Sequence, residues 1–102
     1  MKQDLTRLKG EILGALGHPN RIRIIEFLKD GEKCACEIAP ALKIEQSNLS
    51  RHMKVLVQAG ILNNWKEGQK VMYEVSDYRY FEILDTISEI SKKQIKERLT
   101  IF

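Results

Sequence analysis

Residues 36–59 read Cys36-Glu37-Ile38-Ala39-Pro40-Ala41-Leu42-Lys43-Ile44-Glu45-Gln46-Ser47-Asn48-Leu49-Ser50-Arg51-His52-Met53-Lys54-Val55-Leu56-Val57-Gln58-Ala59. Two short helical patterns lie in this stretch with almost nothing between them. Ile38, Ala41 and Leu42 give the first its apolar side, and Pro40 fits best in its first turn, where a missing N–H is not needed. Leu49, Met53 and Leu56 give the second its apolar side, with Ser47 or a neighbour as cap and Gly60 as its end. Residues 43–46 are too few to do more than turn the chain, so 36–59 reads as a helix-turn-helix.

The flanks complete a small helical domain. Downstream, from Ile61 to Ser76, Val71, Tyr73 and Val75 alternate with polar residues around the tip Lys66-Glu67-Gly68-Gln69-Lys70, the pattern of a β-hairpin over residues 61–76. Upstream, Leu5, Leu8, Ile12 and Leu16 recur at helical spacing over residues 3–16. Pro19 then opens a helix faced by Ile22, Ile24, Ile25 and Leu28 that ends at Asp30-Gly31. A last helix starts near Asp77 with Phe81, Ile83, Leu84, Ile87 and Ile90 as its stripe, and the polar sequence beyond Ser91 is expected to fray. The fold class is therefore mainly α with a small β-hairpin, five helices in all, in one domain spanning 1–102.

Composition agrees and excludes several functions. A chain of 102 residues, 43% hydrophobic and 30% charged, suits one modest core. Its uncharged stretches are far shorter than the roughly 20 apolar residues of a membrane span, and Met1-Lys2-Gln3-Asp4 lacks the apolar core of a signal peptide, so a cytoplasmic protein without membrane contact is expected. There is no glycine-rich phosphate loop, no histidine–carboxylate–nucleophile order and little room for a substrate pocket, which argues against an enzyme. A net charge of +3 permits a polyanionic partner without demanding one.

Charge position is more informative. On a helical wheel Ser47, Ser50, Arg51, Lys54 and Gln58 fall opposite Leu49, Met53 and Leu56, and the exposed stripe contains no acidic residue. With Asn48 these side chains supply the donors that phosphates and base edges accept, and Arg51 and Lys54 lead. His52, at the edge of the apolar face, suits packing or a phosphate contact better than metal ligation, and His18 before Pro19 suits capping or packing. Lys66 and Lys70 at the hairpin tip would reach flanking DNA, diluted by Glu67. Double-stranded DNA is the expected partner. A protein–protein contact module is the rival, and salt-dependent DNA binding separates the two.

The only cysteines stand in Cys34-Ala35-Cys36, where an extended segment would point both sulfurs the same way. Such a pair suits a soft ion or an oxidant, and its third reading is packing alone.

Three stretches, Ala15-Leu16-Gly17-His18-Pro19-Asn20-Arg21-Ile22-Arg23-Ile24, Cys34-Ala35-Cys36-Glu37-Ile38, and Leu49-Ser50-Arg51-His52-Met53-Lys54-Val55-Leu56 followed by Ala59-Gly60-Ile61-Leu62, resemble the ArsR/SmtB family of metal- and metalloid-responsive repressors. The resemblance runs from about residue 10 to 76. It implies a winged helix-turn-helix homodimer joined through the first and last helices (3–16 and 78–91), with 36–59 reading an inverted-repeat operator and 61–76 as the wing. It also narrows the effector. Arsenite-sensing members have a third cysteine where this chain has Ala39, and cadmium- or lead-binding members add N-terminal cysteines, of which residues 1–33 have none. A zinc site on the last helix needs an Asp-x-His pair, but Tyr78 and Arg79 follow Asp77 and no histidine lies beyond His52. The expectation is no obligatory cofactor, with As(III)/Sb(III) or a thiophilic divalent metal as effector at Cys34 and Cys36, held by two sulfurs plus an outside ligand, or oxidation of the same pair.

Overall fold

The computed structural model describes residues 2–101, so the ends Met1 and Phe102 of the domain expected over 1–102 lie outside the described residues. Helix α1 (Lys2–Leu16) leads through Gly17 into α2 (Pro19–Phe27), which a single 3-10 turn (Leu28–Asp30) closes. Strand β1 (Lys33–Cys34) runs directly into α3 (Ala35–Leu42), followed by α4 (Gln46–Gln58). The hairpin β2 (Leu62–Glu67) and β3 (Lys70–Val75) precedes the long α5 (Arg79–Ile101). This is a winged helix-turn-helix.

The core forms because each helix contributes one apolar stripe to a common centre. Ile24 and Ile25 of α2, Ile38 of α3, and Leu49, Met53 and Leu56 of α4 are almost wholly buried, and Ala15, Leu16, Leu62, Phe81 and Leu84 close around them. Burying an aliphatic side chain of this kind is worth about 1.5–3 kcal/mol, and truncating it leaves a cavity that adds to the loss. Leu56→Ala is expected to cost about 2–5 kcal/mol. Chemical unfolding at fixed protein concentration checks this, and a loss below 1 kcal/mol would mean that α4 is not anchored as described.

Two hydrogen-bonded helix ends fix the helix-turn-helix. At the end of α3, Lys43 takes the left-handed conformation (φ 55), with its N–H on the Pro40 carbonyl and the Ile44 N–H on the Ala39 carbonyl. At the end of α4, Gly60 (φ 78) donates to Val57 while Ile61 donates to Leu56. Both satisfy terminal carbonyls and drop an apolar residue, Ile44 or Ile61, into the core. At the wing tip Gly68 (φ 62) provides the backbone conformation of a two-residue hairpin turn, with Glu67 opposite Lys70.

Several expectations need correction. The hairpin is part of a three-stranded antiparallel sheet of order β1-β3-β2, because the residues before α3 pair with β3. Pro40 lies well inside α3, beyond its first turn. An eight-residue helix capped at both ends tolerates the lost bond. Ser47 does not cap α4: Glu45 occupies the cap position without a side-chain bond, and the Ser47 hydroxyl donates to Glu45 at 3.2 Å. The last helix does not end near residue 91 but continues to Ile101. Its distal turns are built from strong helix formers and carry the Lys93–Glu97 pair four residues apart, so they stay helical without burial. No described helix is long and apolar enough to cross a membrane.

Candidate nucleic-acid interface

Helix α4 sits with Leu49, Met53 and Leu56 turned inward, which turns Ser47, Asn48, Ser50, Arg51, Lys54 and Gln58 outward. The sequence placed these side chains together, and the structure does the same. The Arg51 guanidinium donates to Asn48 Oδ1 at 2.8 Å, one turn earlier, which holds it along the helix face while leaving most of its donors free. Glu45, just outside the helix, is the one acidic group at this end and engages Ser47.

Sequence reasoning missed the neighbours of α4. On one side Asn48, Arg51, His52 and Val55 share a groove with His18, Asn20 and Arg21 of the α2 entrance. On the other, Ser50, Lys54 and Gln58 share one with Asn64 and Tyr73 of the sheet. The alternating pattern of its strand gives Tyr73 no such role. It pairs with Asn64 across β2 and β3, so the two reach the same face. The expected wing residues Lys66 and Lys70 are exposed at the tip, outside both grooves. They occupy different rows, Lys66 opposite Val71 and Lys70 opposite Glu67, and so point to opposite faces of the hairpin.

A half-buried cluster locks α1, α2 and α4 together behind this surface. Arg21 Nε donates to the Ala15 carbonyl at 2.6 Å and Nη2 to the Gly14 carbonyl at 3.4 Å, at the negative end of α1. Its Nη1 lies 3.2 Å from His52 Nδ1. A guanidinium only donates, so that Nδ1 is an acceptor and the neutral His52 carries its proton on Nε2. His18 caps α2, its Nδ1 accepting the Asn20 N–H at 3.0 Å, and its ring lies 4.5 Å from that of His52. Burial, then His18, Arg21 and Arg51, hold the His52 pKa below the usual histidine value, so it is neutral at pH 7. His52 thus links α4 to the start of α2 through Arg21 and His18.

The cysteines are not both on extended chain. Cys34 ends β1 and caps α3: its Sγ accepts the Cys36 N–H at 2.9 Å, while its own N–H donates to Glu37 Oε1 at 3.2 Å. Cys36 lies in the first turn of α3 and is exposed, whereas Cys34 is 1% exposed. Their Cα atoms are 5.1 Å apart and their sulfurs are paired as a disulfide. No cluster of three or more His, Cys, Asp or Glu side chains suited to a metal occurs among the described residues.

With this geometry in hand, comparison with known proteins is informative. Residues 18–64 match the family of bacterial regulatory proteins of the arsR type. Over 78 residues the chain is 37% identical to the arsenical resistance operon repressor of Staphylococcus xylosus, covering 76% of this chain and 71% of that repressor. Over 87 residues it is 33% identical to the HTH-type transcriptional repressor SmtB of Mycobacterium tuberculosis, covering 84% of this chain but 64% of that protein, so the chain spans less than two-thirds of the latter's length. In three dimensions it superposes with a TM-score of 0.82 on the homodimeric winged helix-turn-helix DNA-binding domain Mb0332 from Mycobacterium bovis, over 94% of this chain and 89% of that one. At 19% identity that likeness speaks to the fold alone.

Proposed function

We propose, from the premise that this chain belongs to the arsR family of bacterial regulatory proteins, that it is a homodimeric, sequence-specific DNA-binding repressor. The observation that carries this reading is the outward face of α4, made of Asn48, Ser50, Arg51, Lys54 and Gln58, flanked by a groove on either side. A helix held by a buried apolar stripe and presenting only donors and amides fits the major groove, where bidentate side-chain contacts read base edges. Two-fold symmetry would place two such helices about 34–36 Å apart and require an inverted-repeat operator. Lys66 and Lys70 would touch phosphates beyond it.

Fluorescence anisotropy with DNA from the protein's own promoter region tests this directly. Affinity is expected to fall steeply and log-linearly with salt as counterions are displaced. Binding that ignores salt, or no binding at all, would move the assignment to a protein-contact module.

The Cys34–Cys36 pair is the proposed effector site. Cys34 Sγ is the cap of the first helix of the motif, and Arg23 Nη2 ties the far end of that helix, at the Leu42 carbonyl, to α2 at 2.7 Å. Capturing the sulfur with a metalloid such as As(III) or Sb(III), or with a thiophilic metal, withdraws the cap and shifts the population between two settings of α3 and α4. Oxidation is a second reading, favoured by the 5.1 Å between the two Cα atoms, a span that a disulfide bridges. Cys34→Ser and Cys36→Ser are each expected to keep operator affinity within about threefold of wild type while abolishing effector-induced release, since a serine hydroxyl still caps a helix. Anisotropy with and without arsenite, cadmium or a mild oxidant reads this out. Release that survives in both variants would remove the cysteines from the mechanism.

A further inference from the structure

The groove between the start of α2 and α4 has spent its acceptors and kept its donors. Its polar lining is His18, Asn20, Arg21, Asn48, Arg51 and His52. His18 Nδ1 accepts the Asn20 N–H, Asn20 Oδ1 accepts from Arg23, Asn48 Oδ1 accepts from Arg51, and His52 Nδ1 accepts from Arg21. Each of these four side chains therefore uses its acceptor inside the protein. What remains is N–H: Nε2–H on both imidazoles and an NH2 on each asparagine. The guanidiniums add more. Arg21 directs one N–H each to Ala15, Gly14 and His52, and Arg51 directs one to Asn48, so both keep donors in hand.

The charge is equally one-sided. Among the described residues no carboxylate lines this groove, and neither Arg21 nor Arg51 belongs to an ion pair. Glu45, at the start of α4, is engaged by Ser47. The His52 pKa is lowered first by burial and then by His18, Arg21 and Arg51, with no acidic group opposing them. Converging donors around two fixed cations suit an anion with several acceptor oxygens, and a phosphate group matches guanidinium geometry.

We propose that this groove seats one phosphate of the operator backbone, gripped from α2 by His18, Asn20 and Arg21 and from α4 by Asn48, Arg51 and His52. This rests on the reading of α4 as the recognition helix and adds a contact from a second element. Position selects the occupant. Asn48 and Arg51 belong both to the groove and to the outward face of α4. A helix about 10–12 Å across fills a major groove about 12 Å wide, so its flanks meet the phosphates along the groove walls. The Arg21–His52 contact holds the start of α2 against one such flank. A phosphate seated there fixes the register in which α4 meets the bases.

Asn20→Asp is the test. It keeps the oxygen that accepts from Arg23, and it puts a carboxylate in the first turn of α2, where the helix dipole favours it, so the fold is expected to survive. Circular dichroism checks this. Anisotropy on DNA from the protein's own promoter region is expected to show affinity about tenfold or more below wild type, with the salt slope smaller by about one per protomer. The operator is then scanned with each backbone phosphate replaced in turn by a neutral methylphosphonate. At one position per half-site the wild type is expected to weaken and the deficit of Asn20→Asp to shrink below about twofold, because the repelled charge is gone. Exchanging chloride for inorganic phosphate at constant ionic strength is expected to leave wild-type affinity within about twofold.

Equal affinity of wild type and Asn20→Asp would overturn the proposal while leaving α4 as the recognition helix. A deficit that persists at every methylphosphonate position would also overturn it, since the charge would then act at a distance. Displacement of DNA by inorganic phosphate would assign the groove to a free anion instead. Absence of salt-sensitive DNA binding by the wild type would remove this proposal and the repressor reading together.

Discussion

Replacing Ile87 with glutamate is expected to convert the protein from dimer to monomer and to weaken operator binding by more than about 100-fold, the loss that follows when two linked half-site contacts become separate events. The structure motivates this by what it leaves uncovered. Along α5, Ile87 and Ile90 are 50% and 49% exposed, and along α1, Leu5, Leu8 and Leu13 are 55%, 47% and 63% exposed. Large aliphatic side chains left exposed on both terminal helices mark surface suited to a partner. In the proposed homodimer a second copy of the same chain would cover these residues with matching chemistry and close the assembly by two-fold symmetry. A glutamate at the centre of that interface would bury an unpaired charge, which costs several kcal/mol. The monomer fold loses little, because Ile87 is outside its core. Size-exclusion chromatography with light scattering measures mass, circular dichroism checks that the helices remain, and anisotropy measures DNA affinity. A variant that remains dimeric would place the interface elsewhere.

The second large effect falls on Arg51. Arg51→Ala is expected to reduce operator affinity by at least about 30-fold, taking roughly 1–3 kcal/mol for each of two recognition helices in the dimer. The side chain is exposed, bonded only to Asn48 within its own helix, and stands where the α4 face meets the groove formed with His18, Asn20 and Arg21. Folding stability should change by less than about 0.5 kcal/mol, as for surface substitutions in general. The salt dependence then identifies the contact. A lost phosphate contact lowers the slope by about one per helix, whereas a lost base contact leaves the slope intact and relaxes the sequence preference. Unchanged affinity for the operator would remove Arg51 from the interface.

Much of this was legible in the sequence because it is local. The periodicity of Leu49, Met53 and Leu56 fixes which side of α4 is buried, and therefore which side carries Arg51 and Lys54. The alternation of Val71, Tyr73 and Val75 around Gly68 fixes the hairpin. His18 before Pro19 announces a helix start, and His18 does cap α2. The extension of α5 past Ser91 has no apolar stripe to announce it, and Lys93, Lys96, Glu97, Arg98 and Leu99 hold the helix by propensity and side-chain pairing instead. Pro40 falls beyond the first turn because Cys34, a residue type uncommon as a cap, starts α3.

The sequence by itself determined the helices, the hairpin, the apolar stripes left over for a partner and the donor-rich face of α4, since each follows from the spacing of residues a few positions apart. Tertiary structure alone decided that β1 joins the sheet, that Arg21 bonds His52 from 31 residues away, that Asn64 and Tyr73 border the recognition helix, and that Met72 stands opposite Cys34. Those are pairings between distant segments. Their register is chosen by which packing of the whole chain buries Ile24, Ile38 and Leu56 at once, a condition that no local stretch of residues contains.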